Sequence, residues 1–139
     1  MKIVFADTSY YIALVNPHDI IHNKAVDFCR NYRGDILTTE YVLIEVGNFL
    51  SRPEDRPVYV DLMARLKTDP QTYIVPSSTH LFEQGFHLFS ERLDKSWSII
   101  DCISFVIMCE HSLTEALSSD RHFIQAGFKA LLVDGEIKK

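Results

Sequence analysis

Tryptophan occurs once in this chain, cysteine three times, and glycine and proline five times each. So little glycine and proline excludes a collagen-like or low-complexity chain, and 47% apolar residues exclude a disordered tail. An odd cysteine count with no C-x-x-C pair supplies neither a disulfide framework nor a thiolate metal knot. Cys102 and Cys109 lie seven apart, on one face of a helix, and the thiols are expected to be buried in a reducing cytoplasm. Positive charge is not in excess. The 14 Lys and Arg against 19 Asp and Glu leave a net charge of −5, so bulk charge does not hold this chain to nucleic acid. The longest apolar run, Ile99 to Cys109, is broken by Asp101 and Ser104 and is too short to span a bilayer. No charged-then-apolar signal pattern opens the chain, because Lys2 is followed at once by a strand-like run and Asp7. The expectation is a soluble, cytoplasmic protein forming a single domain over residues 1–139.

What is present is alternation. Ile3-Val4-Phe5-Ala6 is a continuous apolar run, as a strand buried on both faces requires. Ile36–Thr38, Tyr73–Val75, Ala116–Ser118 and Leu131–Val133 are the other candidate strands. Asp19 can cap a helix running through Ala25, Phe28 and Cys29 toward Tyr32, with Gly34 ending it. Thr39 precedes a helix over Glu40 to Leu50, in which Val42, Val46, Phe49 and Leu50 keep helical spacing until Pro53. Further helical regions span Val58 to Leu66 and Thr79 to Leu93, the latter with Leu81, Phe82, Phe86 and Phe89 on one stripe. Ser98-x-x-Asp101 resembles a capping box opening Ile99 to His111. Such alternation predicts a three-layer α/β domain with a mostly parallel sheet of about five strands flanked by helices. The extra helices between the second and third strands suit a lid or a dimer face.

In an open parallel sheet, ligands bind outside the carboxyl ends of the strands. Asp7 follows the first strand directly, and Asp120 follows the fourth. Asp101 lies in the first turn of its helix, where free amides and the dipole favour an anion. Glu45 sits in Tyr41-Val42-Leu43-Ile44-Glu45-Val46, where an unpaired charge needs a partner. Singly, each acid has a plain structural role as a cap, a turn residue or an ion-pair partner. Together they are harder to dismiss, because at ~5 Å and an effective dielectric near 20 each carboxylate pair repels by about 3 kcal/mol. Divalent cations resolve this, and oxygen ligands suit Mg²⁺ or Mn²⁺ rather than zinc. The matching chemistry is metal-assisted hydrolysis of a phosphodiester, with the acids placing the ions. Other phosphate-handling folds fit poorly. A HAD-like phosphatase wants an acid two residues after its nucleophile, and Asp7-Thr8-Ser9 has none; a receiver wants an Asp ending its third strand, and Val75-Pro76-Ser77 has none.

Other polar residues have quieter readings. His18 and His22 share a helix face without a third ligand and read as surface residues. His122 reads as packing or a local hydrogen bond, and Trp97 as core. Thr8 or Ser9 caps the first helix or holds water at the site. Lys95 and Arg121 flank the acids and are candidates for phosphate contact.

Val4-Phe5-Ala6-Asp7-Thr8-Ser9-Tyr10, the Glu45 helix, the segment Asp94 to Phe105 (D-K-S-W-S-I-I-D-C-I-S-F) and Ser118 to Phe128 (S-S-D-R-H-F-I-Q-A-G-F) together resemble PIN-domain proteins, above all the VapC-like toxin ribonucleases of bacterial toxin–antitoxin pairs. The resemblance covers essentially the whole chain. It implies a PIN fold and an Mg²⁺- or Mn²⁺-dependent endoribonuclease whose catalytic, metal-holding acids are Asp7, Glu45, Asp101 and Asp120. Beside these acids, Thr8, Lys95, Ser118 and Arg121 are the candidate substrate contacts. A small antitoxin that covers the acidic site and a homodimer are the implied partners. Two positions depart from the usual pattern: Ile100 replaces the common Thr before the third acid, and Ser118 replaces the Thr two before the fourth. A PIN domain that binds RNA without cutting it, or a free-standing nuclease without an antitoxin, are the alternatives.

Overall fold

A computed structural model describes residues 2–133. The apolar run at the start forms β1 (Ile3–Ala6), whose Val4, Phe5 and Ala6 are completely buried. It lies at the centre of the sheet. With β2 (Asp35–Thr39), β3 (Thr72–Val75), β4 (Glu115–Leu117) and β5 (Lys129–Ala130) the strand order is β3-β2-β1-β4-β5. Every pairing is parallel, so the sheet is wholly rather than mostly so. Among the described residues seven helices flank it: α1 (Thr8–Val15), α2 (His22–Asn31), α3 (Glu40–Phe49), α4 (Arg56–Thr68), α5 (Thr79–Glu91), α6 (Ile99–Glu110) and α7 (Arg121–Gln125). The chain first builds outward from β1 through β2 to β3. It then returns to the other side of β1 for β4 and β5. The point of reversal is the crevice between β1 and β4, where an open α/β sheet receives its ligand.

Several local expectations hold. Thr39 caps α3, its hydroxyl accepting from the Val42 amide, and Ser98 and Asp101 form a reciprocal capping box on α6. Others need correction. The last strand is Lys129–Ala130, two residues ahead of the apolar run Leu131–Val133. That run is largely buried at Leu132 and Val133, and two of its amides still reach β4 and its continuation (Leu131 to Ala116, Leu132 to Ser118) before the chain turns. Apolarity there reports burial, not strand. Asp19 does not cap α2; its carboxylate accepts from the Ile21 amide two residues on, forming a local turn before the helix starts at His22. Gly34 does not end α2 either. It lies where the chain approaches Lys2, whose carbonyl would be 2.6 Å from a Cβ at that position.

Only Cys102 among the thiols is buried, while Cys29 and Cys109 are exposed. The α5 stripe also turns outward: Leu81 is buried, but Phe82, Phe86 and Phe89 are about half exposed. α5 instead packs along α6 through Gly85, where a Cβ would fall 2.3 Å from the Cγ1 of Ile103 and 3.2 Å from its backbone. Alanine normally stabilises a helix relative to glycine by ~1 kcal/mol. Here Gly85→Ala is expected to do the reverse, costing about 1–3 kcal/mol from overpacking, as measured by urea unfolding.

Candidate metal centre

The pairing of Phe5 with Ala116 and Ala6 with Leu117 brings the ends of β1 and β4 side by side. Asp7 and Ser118, the next residue on each, therefore face one another across the crevice. Asp7 is the N-cap residue of α1 and is buried at 5% exposure. Its Oδ2 accepts from the Ser118 hydroxyl at 2.8 Å and from the Ser9 hydroxyl at 3.3 Å. The same Ser118 Oγ accepts from the Asp120 amide at 3.0 Å, and Ser9 Oγ accepts from the Ser119 amide at 3.0 Å. Two serines thus lock the β1 and β4 ends together and aim both acids into one space. Ser118 keeps the hydroxyl that this geometry needs.

Glu45 enters from α3 and accepts from the Thr8 hydroxyl at 2.5 Å. This hydroxyl is the partner that an apolar helix with one acid required. Thr8 is therefore not a helix cap, and Ser9 is spent on Asp7 and Ser119. Asp101, buried at 7% exposure, comes from the first turn of α6. Its amide donates to Ser98 Oγ at 3.0 Å, and its Oδ2 accepts from the Ser98 amide at 3.1 Å. Asp120 caps α7, its Oδ1 accepting from the His122 amide at 2.9 Å.

An aromatic cluster sets the angles of α6 and α7. Trp97 meets Phe105 edge-on at 5.0 Å, Phe105 meets Phe123 at 4.9 Å, and Trp97 Nε1 donates to Gln125 at 3.1 Å. Trp97 is buried, as expected, and holds the two segments that supply Asp101 and Asp120.

All four acids line one cleft of about 460 Å³, and Asp19 joins them as a fifth. No Lys or Arg among the described residues lines it. Burial pushes the Asp7 carboxyl up to about 7, and the neighbouring Asp101 and Glu45 charges push it the same way, against the Ser118 hydrogen bond. A carboxyl so raised lacks a counter-charge. A divalent ion, for which the carboxylates are hard oxygen donors, fits that need.

The other candidates lie elsewhere. Lys95 is outside the cleft, 4.0 Å from Asp94, and Arg121 is exposed on α7. His18 is exposed and His22 bonds to the Ala13 carbonyl, and neither lines the cleft. His122 does. Its Nδ1 lies 2.9 Å from Asp101 Oδ2 and 3.3 Å from Asp120 Oδ1.

Residues 4–129 match the PIN domain. The chain belongs to the PIN domain family. Among curated proteins this PIN domain is 29% identical, over 126 residues, to the "23S rRNA-specific endonuclease VapC20" of two Mycobacterium tuberculosis strains, covering 90% of this chain and 95% of the relative. The crystal structure of Mycobacterium tuberculosis VapC20, described as a sarcin–ricin loop cleaving toxin, superposes with a TM-score of 0.82 at 25% identity. That match covers 91% of this chain and 96% of the other. FitAcB from Neisseria gonorrhoeae shares the fold, with a TM-score of 0.63 at 16% identity over 93% of this chain and 95% of that one.

One member of this PIN domain's cleft escapes a reading of spacing, and a second is legible there only as a neighbour of the site. Asp19 looks like a cap, because Asp before a helix usually is one. His122 follows Asp120 by two, and only the α7 start turns its ring back toward Asp101. The spacing D-x-H carried the signal, but not its direction. No described helix is long and apolar enough to cross a membrane.

Proposed function

We propose that this PIN domain, acting as one unit over residues 1–139, is a divalent-metal-dependent endoribonuclease that hydrolyses phosphodiester bonds in structured RNA. The observation that carries this reading is the convergence of Asp7, Glu45, Asp101 and Asp120 on a cleft with no Lys or Arg in its lining. Mg²⁺ or Mn²⁺ is the cofactor, held by these four acids. Bound there, such an ion supplies Lewis acidity to a water and neutralises charge on the leaving oxygen. The protein's part is positional. Ser118 and Ser9 orient Asp7, Thr8 orients Glu45, the α6 capping box orients Asp101, and the Asp120 side chain closes the turn into α7. Preset carboxylates need no rearrangement when substrate arrives. A net acidic chain then meets phosphate through its cations, with Lys95 and Arg121 outside the cleft serving the flanking phosphates.

The likeness to an rRNA-cleaving toxin supports a cellular RNA substrate and a small antitoxin that covers the acidic cleft; a cytoplasmic location and a homodimer as the working form complete the proposal. The test is incubation of the purified protein, free of partner, with a panel of structured RNAs that includes a sarcin–ricin stem-loop, in Mg²⁺, Mn²⁺ or EDTA. Discrete cuts in either metal and none in EDTA are expected. Cutting that persists in EDTA, or none in any metal while Mn²⁺ is bound, contradicts the reading.

A further inference from the structure

The four acids assigned to the ion share the cleft wall with His122, which the reading above gives no role. His122 places a ring nitrogen between two of them. A ring nitrogen of His122, an oxygen of Asp101 and an oxygen of Asp120 all lie within 4.8 Å of one another, and they come from two elements, α6 and the turn into α7. Neighbouring ligands around an octahedral ion with bonds of about 2.1 Å stand roughly 3.0 Å apart. The observed separations from Nδ1, 2.9 Å to Asp101 and 3.3 Å to Asp120, bracket that edge. A hydrogen bond alone would explain the first distance. The bond from the His122 amide to Asp120 Oδ1 holds the second carboxylate beside the same ring, so Nδ1 faces both oxygens at once, at the spacing that two neighbouring ligands of one ion require.

We propose that His122 is a direct nitrogen ligand of this centre and sets its metal preference. The inference rests on the metal-centre reading above and deepens it. A shift of the imidazole hydrogen from Nδ1 to Nε2 presents the lone pair to the ion, with no change of charge. The consequence is selectivity. Mg²⁺ favours an all-oxygen shell and gains little from imidazole, Mn²⁺ gains more, and the later first-row ions gain most. The neighbours reinforce the placement: the Asp120 carboxylate holds the His122 backbone, and Phe123, completely buried beside it, fixes the turn that directs the ring inward.

The test uses the full chain loaded with Mn²⁺ alone. Pulsed electron paramagnetic resonance of the bound Mn²⁺ is expected to show a directly coordinated ¹⁴N, and His122→Asn should abolish that coupling. Calorimetry should show Mn²⁺ affinity falling by about tenfold or more in His122→Asn while Mg²⁺ affinity changes by less than about threefold. His122→Asp, which offers only oxygen, should also lose the ¹⁴N signal and narrow the Mn²⁺ to Mg²⁺ ratio. Mn²⁺ bound to the native protein without direct nitrogen coupling, or coupling that survives His122→Asn, overturns this inference and leaves the four-acid centre standing. Failure of the native protein to bind Mn²⁺ at all overturns both.

Discussion

Replacing Asp101 with asparagine is expected to lower metal-dependent RNA cleavage by about 10²–10³-fold without lowering the melting temperature in EDTA. The size follows from removing one charge from a preset, partly desolvated group of carboxylates, the scale seen when one stabilising polar group is deleted from an active site. The indifference of the fold follows from what Asp101 does structurally. Its Oδ2 accepts from the Ser98 amide, and its own amide donates to Ser98. The side-chain carbonyl of asparagine can accept the first, and the second is backbone. Asparagine also relieves the repulsion that Asp101 exerts on buried Asp7. Initial rates on the RNA panel and thermal melts by circular dichroism read the two halves together. Cleavage within about threefold of the native rate would remove Asp101 from the catalytic set. A collapse of the fold in parallel would show that its role is capping.

The second large effect concerns pH and metal. Asp7 in the folded chain holds its proton to about pH 7, whereas the unfolded side chain releases it near 3.8. Between those values the native state binds one more proton than the unfolded state. Stability in EDTA therefore falls as pH rises from about 4 to about 7, and the loss is complete above that window. At about 1.4 kcal/mol for each pH unit, it amounts to a few kcal/mol. Asp7→Asn should flatten this slope and melt higher than the native protein at pH 8 in EDTA. Metal should reverse the order. At a free Mn²⁺ concentration about 100 times its dissociation constant, mass action adds about 2.7 kcal/mol to the native protein. For a chain of this size that is a rise of roughly 10 °C, and Asp7→Asn should lose most of it. Melting curves at pH 5, 7 and 8, with EDTA or Mn²⁺, decide the matter. A native protein indifferent to both pH and Mn²⁺ would mean that the carboxylates neither crowd nor hold an ion.

The four acids were legible in sequence because each marks the end of a strand or sits at odds with its helix. Asp7 and Asp120 follow apolar strand runs, Asp101 completes a capping pattern, and Glu45 is a charge inside an apolar helix. What linear pattern cannot supply is the angle at which short elements meet. His122 reaches Asp101 only because the five-residue α7 starts at Arg121 and is held by Phe123 against Phe105. The role of Ser9 depends on the β1–β4 register, which joins residues 110 apart. The last strand was misplaced for a related reason. Lys129 and Ala130 pair with β4 by backbone alone, while the more apolar Leu131–Val133 fills the core beside them. Cys109 shares a helix face with Cys102, as spacing implies, but it lines an open groove walled by α5, α6 and α7 rather than the core. Periodicity says which residues lie together. It does not say what covers them.

The central claim is that the acids at the β1–β4 crevice exist to hold a divalent ion, and crystals soaked in Mn²⁺ test it most directly. An anomalous difference map should show Mn²⁺ among the carboxylates of Asp7, Glu45, Asp101 and Asp120, and the peak should vanish in Asp101→Asn. A cleft without a peak at millimolar Mn²⁺, or Mn²⁺ bound only elsewhere on the molecule, would contradict the account.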